Sequence, residues 1–171
     1  MSHFLPAGDV RHLADIYDRQ TDTTRQIWTV PTFAQHYDKP VYVLISARTG
    51  SAAEDCAYNF QVLKRGILVG ETSIGACNPV SWFSLGQDIA VSIPTARMIN
   101  FTTKTNWEHV GVNPDVAVPA AQALQAAHAA ILRKLVLSAK EGAERTELQR
   151  LLTMVEKGET EKPVYILAGE R

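Results

Sequence analysis

Residues 41–55 have the sequence VYVLISARTGSAAED, in which an apolar run passes through a short turn into a helix-favouring segment. The run VYVLIS at 41–46 is rich in β-branched and aromatic residues, which favour a strand buried on both faces of a parallel sheet. Beyond the turn, apolar residues recur at three- and four-residue spacing and predict an amphipathic helix. They are Ala53, Cys56, Ala57, Phe60 and Leu63.

The residues after this helix predict a second strand. Lys64, Arg65 and Gly66 have the charge and the conformational freedom that are typical of a helix C-terminus, and ILVG follows at 67–70. A strand, a helix and a strand in this order form a βαβ unit, in which the two strands are parallel. We therefore expect a mixed α/β fold.

Further strands are predicted on both sides of this unit. The segment 15–40 is polar with interleaved aromatic residues, which predicts irregular structure or short strands. A hairpin is predicted around Gly86–Asp88, because apolar residues alternate after this turn as they do in a half-buried strand. They are Ile89, Val91 and Ile93.

The chain changes to helical periodicity after Pro119. Two apolar faces are predicted, one on each side of Gly142, and they place His128 on an apolar face. The first face contains Leu124, His128, Ile131 and Leu135, and the second contains Leu148, Leu151, Leu152 and Val155. Residues 158–171 predict a charged turn followed by a short strand.

Length and composition restrict the class of protein. The chain has 171 residues, 46% of them hydrophobic and 20% charged, and a formal net charge of −1. This length is sufficient for a domain with its own core, and the balanced charge argues against a nucleic-acid-binding surface. The longest apolar runs are far shorter than the roughly 20 residues of a membrane span. We expect neither a nucleic-acid partner nor a membrane-spanning segment.

Two cysteines, Cys56 and Cys77, are too few for a disulfide scaffold, and their spacing matches no zinc-binding pattern. A buried apolar role is usual for such residues, and a nucleophilic Cys77 would need a neighbouring histidine. We predict no metal and no cofactor. The first ten residues lack the features of a signal peptide, and the compartment is not predicted.

Ser51 has two interpretations from the residues alone. With Glu54 three residues later it forms the pattern of a capping box, in which side chains satisfy the free amides at a helix N-terminus. A serine in a strand-to-helix turn is also well placed for catalysis, since free amides and the helix dipole can stabilise an oxyanion. The G-x-S-x-G pattern of the α/β-hydrolases is absent. Both interpretations remain open at this point.

Three segments resemble the motifs of a known family, and they occur in the same order along the chain. They are IYDRQTDTTRQIWT at 16–29, KPVYVLISARTGSAAEDCAYNFQVLKRGILVGETS at 39–73 and NWEHVGVNPDVAVP at 106–119. The chain is similar to the C-terminal processing serine peptidases, which include the tail-specific proteases, the tricorn core protease and interphotoreceptor retinoid-binding protein. The resemblance covers roughly residues 10 to 130.

The resemblance implies roles for individual residues. Ser51 matches the family's nucleophile, and the amide of Ala52 would be one oxyanion donor. The tail-specific branch activates the serine with a lysine, but Ala76 stands at that position, so the resemblance excludes a serine–lysine dyad there. The tricorn-like branch uses a histidine and a glutamate, and Glu108 fits the glutamate that orients the histidine.

The histidine itself has no match, because the family carries it well upstream of the nucleophile. His109 is the weaker candidate for the base, being adjacent to Glu108. The family's glycine-rich D-L-R-x-N-x-G-G segment, which provides the second oxyanion amide, is also absent. The resemblance therefore implies the C-terminal part of a peptidase catalytic domain at 1–118, with a helical extension at 119–171.

The fold implied by the resemblance is the ClpP/crotonase-like spiral of ββα units. The implied function is a serine-type peptidase acting on peptides or proteins, weakly active by itself. We expect a homo-oligomer or association with the missing N-terminal part. Two alternatives remain: a module of the same fold that binds an apolar ligand such as a retinoid or fatty acid, and an inactive remnant.

Overall fold

The structure is a computed structural model that describes residues 1–32 and 36–159. The chain divides into two compact units, Met1–Ala121 and a second unit that begins at Gln122. A 3₁₀ turn at Ser2–Phe4 precedes the regular elements. The strands are β1 (His12–Asp18), β2 (Thr23–Trp28), β3 (Val41–Ile45), β4 (Gly66–Gly70), β5 (Val80–Gly86), β6 (Ile89–Pro94), β7 (Ala96–Asn100) and β8 (Val116–Ala117), and the helices are α1 (Ala52–Val62), α2 (Ala120–Ser138) and α3 (Ala143–Glu156).

The predicted βαβ unit is present as β3, α1 and β4. The two strands pair in parallel, and β4 pairs in parallel with β8 on its other side, so the strand order is β3-β4-β8. The mixed α/β class is confirmed. The prediction that β3 is buried on both faces is wrong, because β3 is an edge strand among the described residues and its Leu44 is 43% exposed.

The other strands form antiparallel pairs. β1 lies between β2 and β7 in a three-stranded sheet, and β5 and β6 form a separate two-stranded ribbon. The segment 15–40 thus contributes short strands, and the hairpin around Gly86–Asp88 is confirmed. The short strand predicted within 158–171 lies mostly outside the described residues.

The core of the first unit lies between α1 and the parallel sheet. Phe60 from α1 and Leu68 from β4 are buried there together with Trp107, which is 2% exposed and belongs to the loop before β8. The complete cluster contains Ile45, Ala57, Phe60, Leu68, Cys77, Trp107 and Val112. This core anchors α1 and the loops on either side of Trp107, which together carry the candidate site.

The second unit contains the greater part of α2 and all of α3. Ala129 and Leu132 of α2 pack against Val155 of α3. The predicted apolar face of α3 is confirmed, whereas that of α2 is wrong: Leu124, His128 and Leu135 are exposed. The buried residues of α2 are Ala123, Ala127, Ala129 and Leu132, and the small side chains of alanine carry little hydrophobic signal in a sequence pattern. None of the helices in the described part of the chain combines the length and apolar character needed to cross a bilayer.

Candidate active site

Ser51 lies in the turn between β3 and α1 and adopts a strained backbone conformation. Its φ is 55° and its ψ is −124°, a combination that a non-glycine residue adopts only when the surrounding structure imposes it. Such strain at a strand-to-helix turn is typical of a serine whose hydroxyl is presented as a nucleophile. The backbone therefore resembles a nucleophile elbow although the sequence lacks that motif.

The first turn of α1 leaves one main-chain donor free beside Ser51. The amide of Ala53 donates to the Gly50 carbonyl, and the amides of Glu54 and Asp55 donate to the Ser51 carbonyl at 2.9 and 3.1 Å. The amide of Ala52 has no acceptor among the described residues, as expected for an amide at a helix N-terminus. It is thus available to an anion at this end of the helix.

Ser51 and Glu54 form a capping box at the start of α1. The Ser51 amide donates to Glu54 Oε2 at 2.8 Å, and the Ser51 side chain lies opposite the Glu54 amide. The capping arrangement that the spacing of these two residues indicates is therefore present at this turn.

Glu54 has a larger role than that of a cap. It is completely buried, and besides the Ser51 amide it accepts hydrogen bonds from the Ser73 hydroxyl at 2.5 Å, the Gly75 amide at 2.7 Å and the Ala76 amide at 3.0 Å. Burial by itself would raise the pKa of this carboxyl, but the four hydrogen bonds outweigh it and the pKa is lowered. Glu54 is therefore a buried carboxylate that joins the Ser51 turn to the loop after β4.

Ser73 extends this network to the segment that precedes β8. Its hydroxyl donates to Glu54 and accepts from the Val112 amide at 2.7 Å. Gly111 is packed against the same loop with a φ of 73°, where a Cβ atom would lie 2.4 Å from the Ser73 carbonyl oxygen. Two of the segments that resemble peptidase motifs, 39–73 and 106–119, are thus connected by the hydrogen bonds from Val112 to Ser73 and from Ser73 to Glu54.

Glu108 holds the same loop from a second side. The amides of Cys77 and Asn78 both donate to its Oε2 at 2.7 Å, and the Glu108 amide donates to Asn106 Oδ1 at 3.1 Å. The other carboxylate oxygen, Oε1, lies 3.7 Å from His109 Nε2. Oε2 of Glu108 therefore binds the loop, whereas Oε1 accepts neither of these two amides.

A cleft of about 450 Å³ opens beside Ser51. Ser51 and Ala52 form part of its wall together with Ala76, the residue at the lysine position of the tail-specific pattern. The remaining lining residues are Asp55, Cys77, Asn78, Pro79, Val80, Met98 and Trp107. No histidine or lysine is among the lining residues, so the cleft itself offers Ser51 neither of these bases.

The histidines of the described residues lie elsewhere. The side chain of His109, the weaker candidate base, is 90% exposed and its residue has a φ of 61°. His12 is buried between the rings of Trp28 and Phe101 and contacts Asp15 at 2.9 Å, which is a structural environment. His3, His36 and His128 are exposed. In residues 1–32 and 36–159 no cluster of His, Cys, Asp and Glu could hold a metal ion.

Cys77 lines the cleft but is a poor nucleophile. Burial is the main reason that its thiol pKa is raised to about 12, with a smaller contribution from the negative charge of Glu108. Because the thiolate is the reactive form, this thiol stays protonated at neutral pH. Burial therefore disfavours the reactive form of Cys77 at this position.

The two cysteines should react differently with an alkylating reagent. With iodoacetamide at pH 8 we expect rapid modification of Cys56, which is exposed, and at least tenfold slower modification of Cys77, which is buried and protonated. Peptide mass spectrometry of timed samples measures both rates in one reaction, and the Cys56→Ser variant isolates the slow one. Equal rates at the two sites would contradict this account of Cys77.

The sequence did not reveal the central position of Glu54 or the presence of Asp55 in the cleft. Burial raises the pKa of the Asp55 carboxyl, while a hydrogen bond from Asn59 lowers it in part. The only signal for Glu54 was its spacing from Ser51, which is equally typical of an ordinary cap. The donors from Ser73, Gly75 and Ala76 come from a loop 19 to 22 residues away, and no local pattern predicts such contacts.

Comparison with known proteins places this site in context. The sequence model described as "Peptidase family S41" matches residues 2–118, more than half of the chain. The fold is similar to that of the photosystem II D1 C-terminal processing protease, with 25% identity, a TM-score of 0.53 and coverage of 67% of this chain and 29% of that protein.

Two more distant structures share the fold. A lipoprotein from Streptococcus agalactiae has 16% identity and a TM-score of 0.56, with coverage of 78% of this chain and 47% of that one. Mature CPAF has 18% identity and a TM-score of 0.50, with coverage of 76% and 22%. The chain thus spans less than half the length of each of these proteins.

Proposed function

The chain belongs to peptidase family S41, and from this premise we propose that it carries the nucleophile of a serine-type peptidase, Ser51, in a site of the tricorn-like kind. The single observation that carries the proposal is the conformation of Ser51. A non-glycine residue with a φ of 55° at the N-terminus of α1, beside the free Ala52 amide and open to a cleft, combines strain with an oxyanion donor. An ordinary cap requires neither.

The proposed reaction uses these groups in the following way. Ser51 Oγ attacks the carbonyl carbon of a peptide bond and gives its proton to a histidine base, while the carbonyl oxygen becomes an oxyanion. The Ala52 amide and the N-terminal dipole of α1 stabilise that negative charge. The histidine then returns the proton to the leaving amine, and water releases the acyl group by the same route.

Glu108 is the proposed partner of the histidine. Its Oε2 is held by the Cys77 and Asn78 amides, which fixes the carboxylate relative to the cleft wall, and its Oε1 is available to accept an N–H from an imidazole. We assign the histidine to a segment outside this chain, because no histidine lines the cleft. His109 remains the weaker candidate, since its ring lies beside Glu108 Oε1 but is exposed.

The proposal includes the organisation of the protein. Residues 1–118 are the C-terminal part of a catalytic domain with the ClpP/crotonase-like spiral, and 119–171 are a helical extension. Among the described residues no strand pairs with the outer side of β3, which supports association with a further copy or with the N-terminal part, since a strand at a sheet edge favours pairing. A peptide or protein is the substrate, and we propose no cofactor.

A probe of serine reactivity tests this function. In a preparation that includes the histidine-bearing segment, a fluorophosphonate should label Ser51, and Ser51→Ala should abolish both labelling and peptide cleavage. The matched control is Cys77→Ala, which alters the same cleft and should leave both intact. Cleavage that survives Ser51→Ala but is lost in Cys77→Ala would assign the nucleophile to Cys77 instead.

One observation favours a second function. The cleft wall is largely apolar, with Pro79, Met98 and Trp107 among its residues, and its 450 Å³ lies within the usual range of small-molecule sites. A binding module for a retinoid or fatty acid would use this wall without Ser51 chemistry. Tight binding of such a ligand, without fluorophosphonate labelling of Ser51, would favour this function over the peptidase.

A further inference from the structure

The β5–β6 ribbon has an orientation of main-chain groups that can be worked out from its pairing. Val80 pairs with Pro94. The antiparallel pairing then continues without interruption as far as Ser84 and Ala90. The Thr95 amide donates to the Pro79 carbonyl at 3.1 Å, so these two residues form a hydrogen-bonded pair. Hydrogen-bonded and non-hydrogen-bonded pairs alternate along an antiparallel ladder. The residues of the non-hydrogen-bonded pairs therefore direct their N–H and C=O groups away from the partner strand.

Pro94 supports this assignment independently. A proline inside a strand is tolerated where its missing N–H would face away from the neighbouring strand, and Pro94 occupies one of the outward-facing positions of β6. By the same alternation, Val80, Trp82 and Ser84 direct their main-chain groups away from β6, along the outer edge of β5. In the described part of the chain no strand and no other hydrogen bond occupies this edge.

The outer edge of β5 is continuous with the Ser51 cleft. Pro79 and Val80 line the cleft together with Ser51, whereas no residue of β6 does. The strand leads away from the cleft, and Val80 and Trp82 are 50% and 72% exposed. A row of free main-chain donors and acceptors therefore begins in the wall of the candidate active site.

We propose that the outer edge of β5 binds the main chain of the substrate as an added strand. This inference rests on the proposed peptidase function and specifies its substrate class as an extended, locally unfolded polypeptide. The positions from Val80 to Ser84 span about 14 Å, at roughly 3.4 Å per residue, so they can pair with four or five substrate residues. Recognition through main-chain groups provides affinity with little dependence on sequence.

Proline substitution at an outward-facing position tests the inference. Trp82→Pro removes the outward N–H at the middle of the edge, and Trp82→Ala removes the indole but keeps this N–H. In the Ser51→Ala background, fluorescence anisotropy would measure binding of fluorescein-labelled, reduced and carboxymethylated α-lactalbumin, an unfolded chain. We expect Trp82→Pro to bind roughly fivefold more weakly than Trp82→Ala, as for the loss of one hydrogen bond.

Ser92→Pro is the matched control. Ser92 is the cross-strand partner of Trp82, so this change perturbs the same pair of the ribbon but removes an outward N–H from the opposite edge. We expect its affinity to stay within about twofold of the parent. Equal losses in Trp82→Pro and Ser92→Pro, equal affinities of Trp82→Pro and Trp82→Ala, or no binding by the parent chain would overturn the inference.

Fluorophosphonate labelling separates this inference from the proposed function. With the histidine-bearing segment included, the parent chain with Ser51 should be labelled whatever the binding measurement gives, because the probe does not need the strand edge. Labelling without the expected difference in binding would refute the inference and leave the peptidase proposal standing. The expected difference in binding without labelling of Ser51 would refute the peptidase proposal and leave the edge as a polypeptide-binding site.

Discussion

Replacing Glu54 with alanine should lower the free energy of unfolding by about 4 kcal/mol or more. The carboxylate is completely buried and accepts four hydrogen bonds, and each buried donor left without a partner costs about 1–3 kcal/mol. Since small domains are stable by only about 5–15 kcal/mol, this single change should leave the first unit marginally folded. Urea unfolding followed by circular dichroism measures the loss.

Glu71→Ala is the control for this prediction. Glu71 also accepts two main-chain amides, from Ala47 and Ala120, but both hydrogen bonds lie at the exposed surface and water can replace the carboxylate. We expect a much smaller loss of stability than in Glu54→Ala. Similar losses in the two variants would show that burial of the Glu54 network contributes little.

The contribution of Glu54 should also depend on pH in a defined direction. Its pKa is lowered in the folded protein, so the carboxylate stabilises the fold fully above the ordinary glutamate pKa of about 4.3, and this contribution is lost as the pH falls below that value towards the folded pKa. The isosteric Glu54→Gln variant cannot titrate at this position. The stability difference between wild type and Glu54→Gln should therefore be constant from about pH 7 to 5 and shrink below about pH 4, whereas a difference that grows in acid would contradict the assignment.

Peptide hydrolysis by this 171-residue chain alone should be slower than that of an ordinary enzyme by about four orders of magnitude or more. Enzymes typically turn over at about 1–10³ per second, and loss of one member of a catalytic triad costs on the order of 10⁴ to 10⁶ in rate. The cleft beside Ser51 contains no histidine or lysine among its lining residues, so Ser51 keeps a proton that no positioned base removes. Hydrolysis of an unstructured fluorogenic peptide, with Ser51→Ala as the blank, measures the residual rate.

His109→Ala determines whether any residual rate belongs to the weaker candidate base. If His109 does not act, this variant should match the parent chain, since the exposed ring lies 3.7 Å from Glu108 Oε1 but outside the cleft lining. Turnover of the parent in the ordinary enzyme range, lost in His109→Ala, would show that this chain completes its own site. The histidine would then not be needed from any other segment.

Several elements of the fold were predictable because their signals are local. The β-branched run at 41–45, the helical spacing after Ser51 and the apolar run at 67–70 indicate β3, α1 and β4 through backbone preferences that act over a few residues. The predicted helix end at Gly66 is wrong, because α1 ends at Val62, Lys64 has the positive φ and Gly66 belongs to β4. The alternation around Gly86–Asp88 likewise specified the β5–β6 hairpin. Where packing partners decide burial, the predictions failed, as for the second face of β3 and the buried face of α2.

The candidate residues divide in the same way. The motifs around Ser51 and Glu108 indicated which family the chain resembles, and the family match supports that part of the interpretation. Their spacing along the chain could not show that Glu108 Oε2 accepts the Cys77 and Asn78 amides, or that Oε1 of the same carboxylate faces His109 instead. Residues 30 positions apart meet only after the sheet and α1 have packed.

The sequence by itself determined the β3–α1–β4 unit, the β5–β6 hairpin, the turn that contains Ser51, and the absence of a lysine at Ala76, since each depends on residue identity or on short-range periodicity. Only the tertiary structure decided that Glu54 is a buried carboxylate with four donors and that Ser51 has a strained backbone. It also decided that, within residues 1–32 and 36–159, the Ala52 amide has no acceptor and no strand pairs with the outer edge of β5 beside the cleft. The physical reason is that hydrogen-bond satisfaction and burial are properties of groups brought together from distant positions. A carboxylate three residues after a serine is an ordinary cap in one fold and the central acceptor of a candidate active site in another, depending on which loops pack against it.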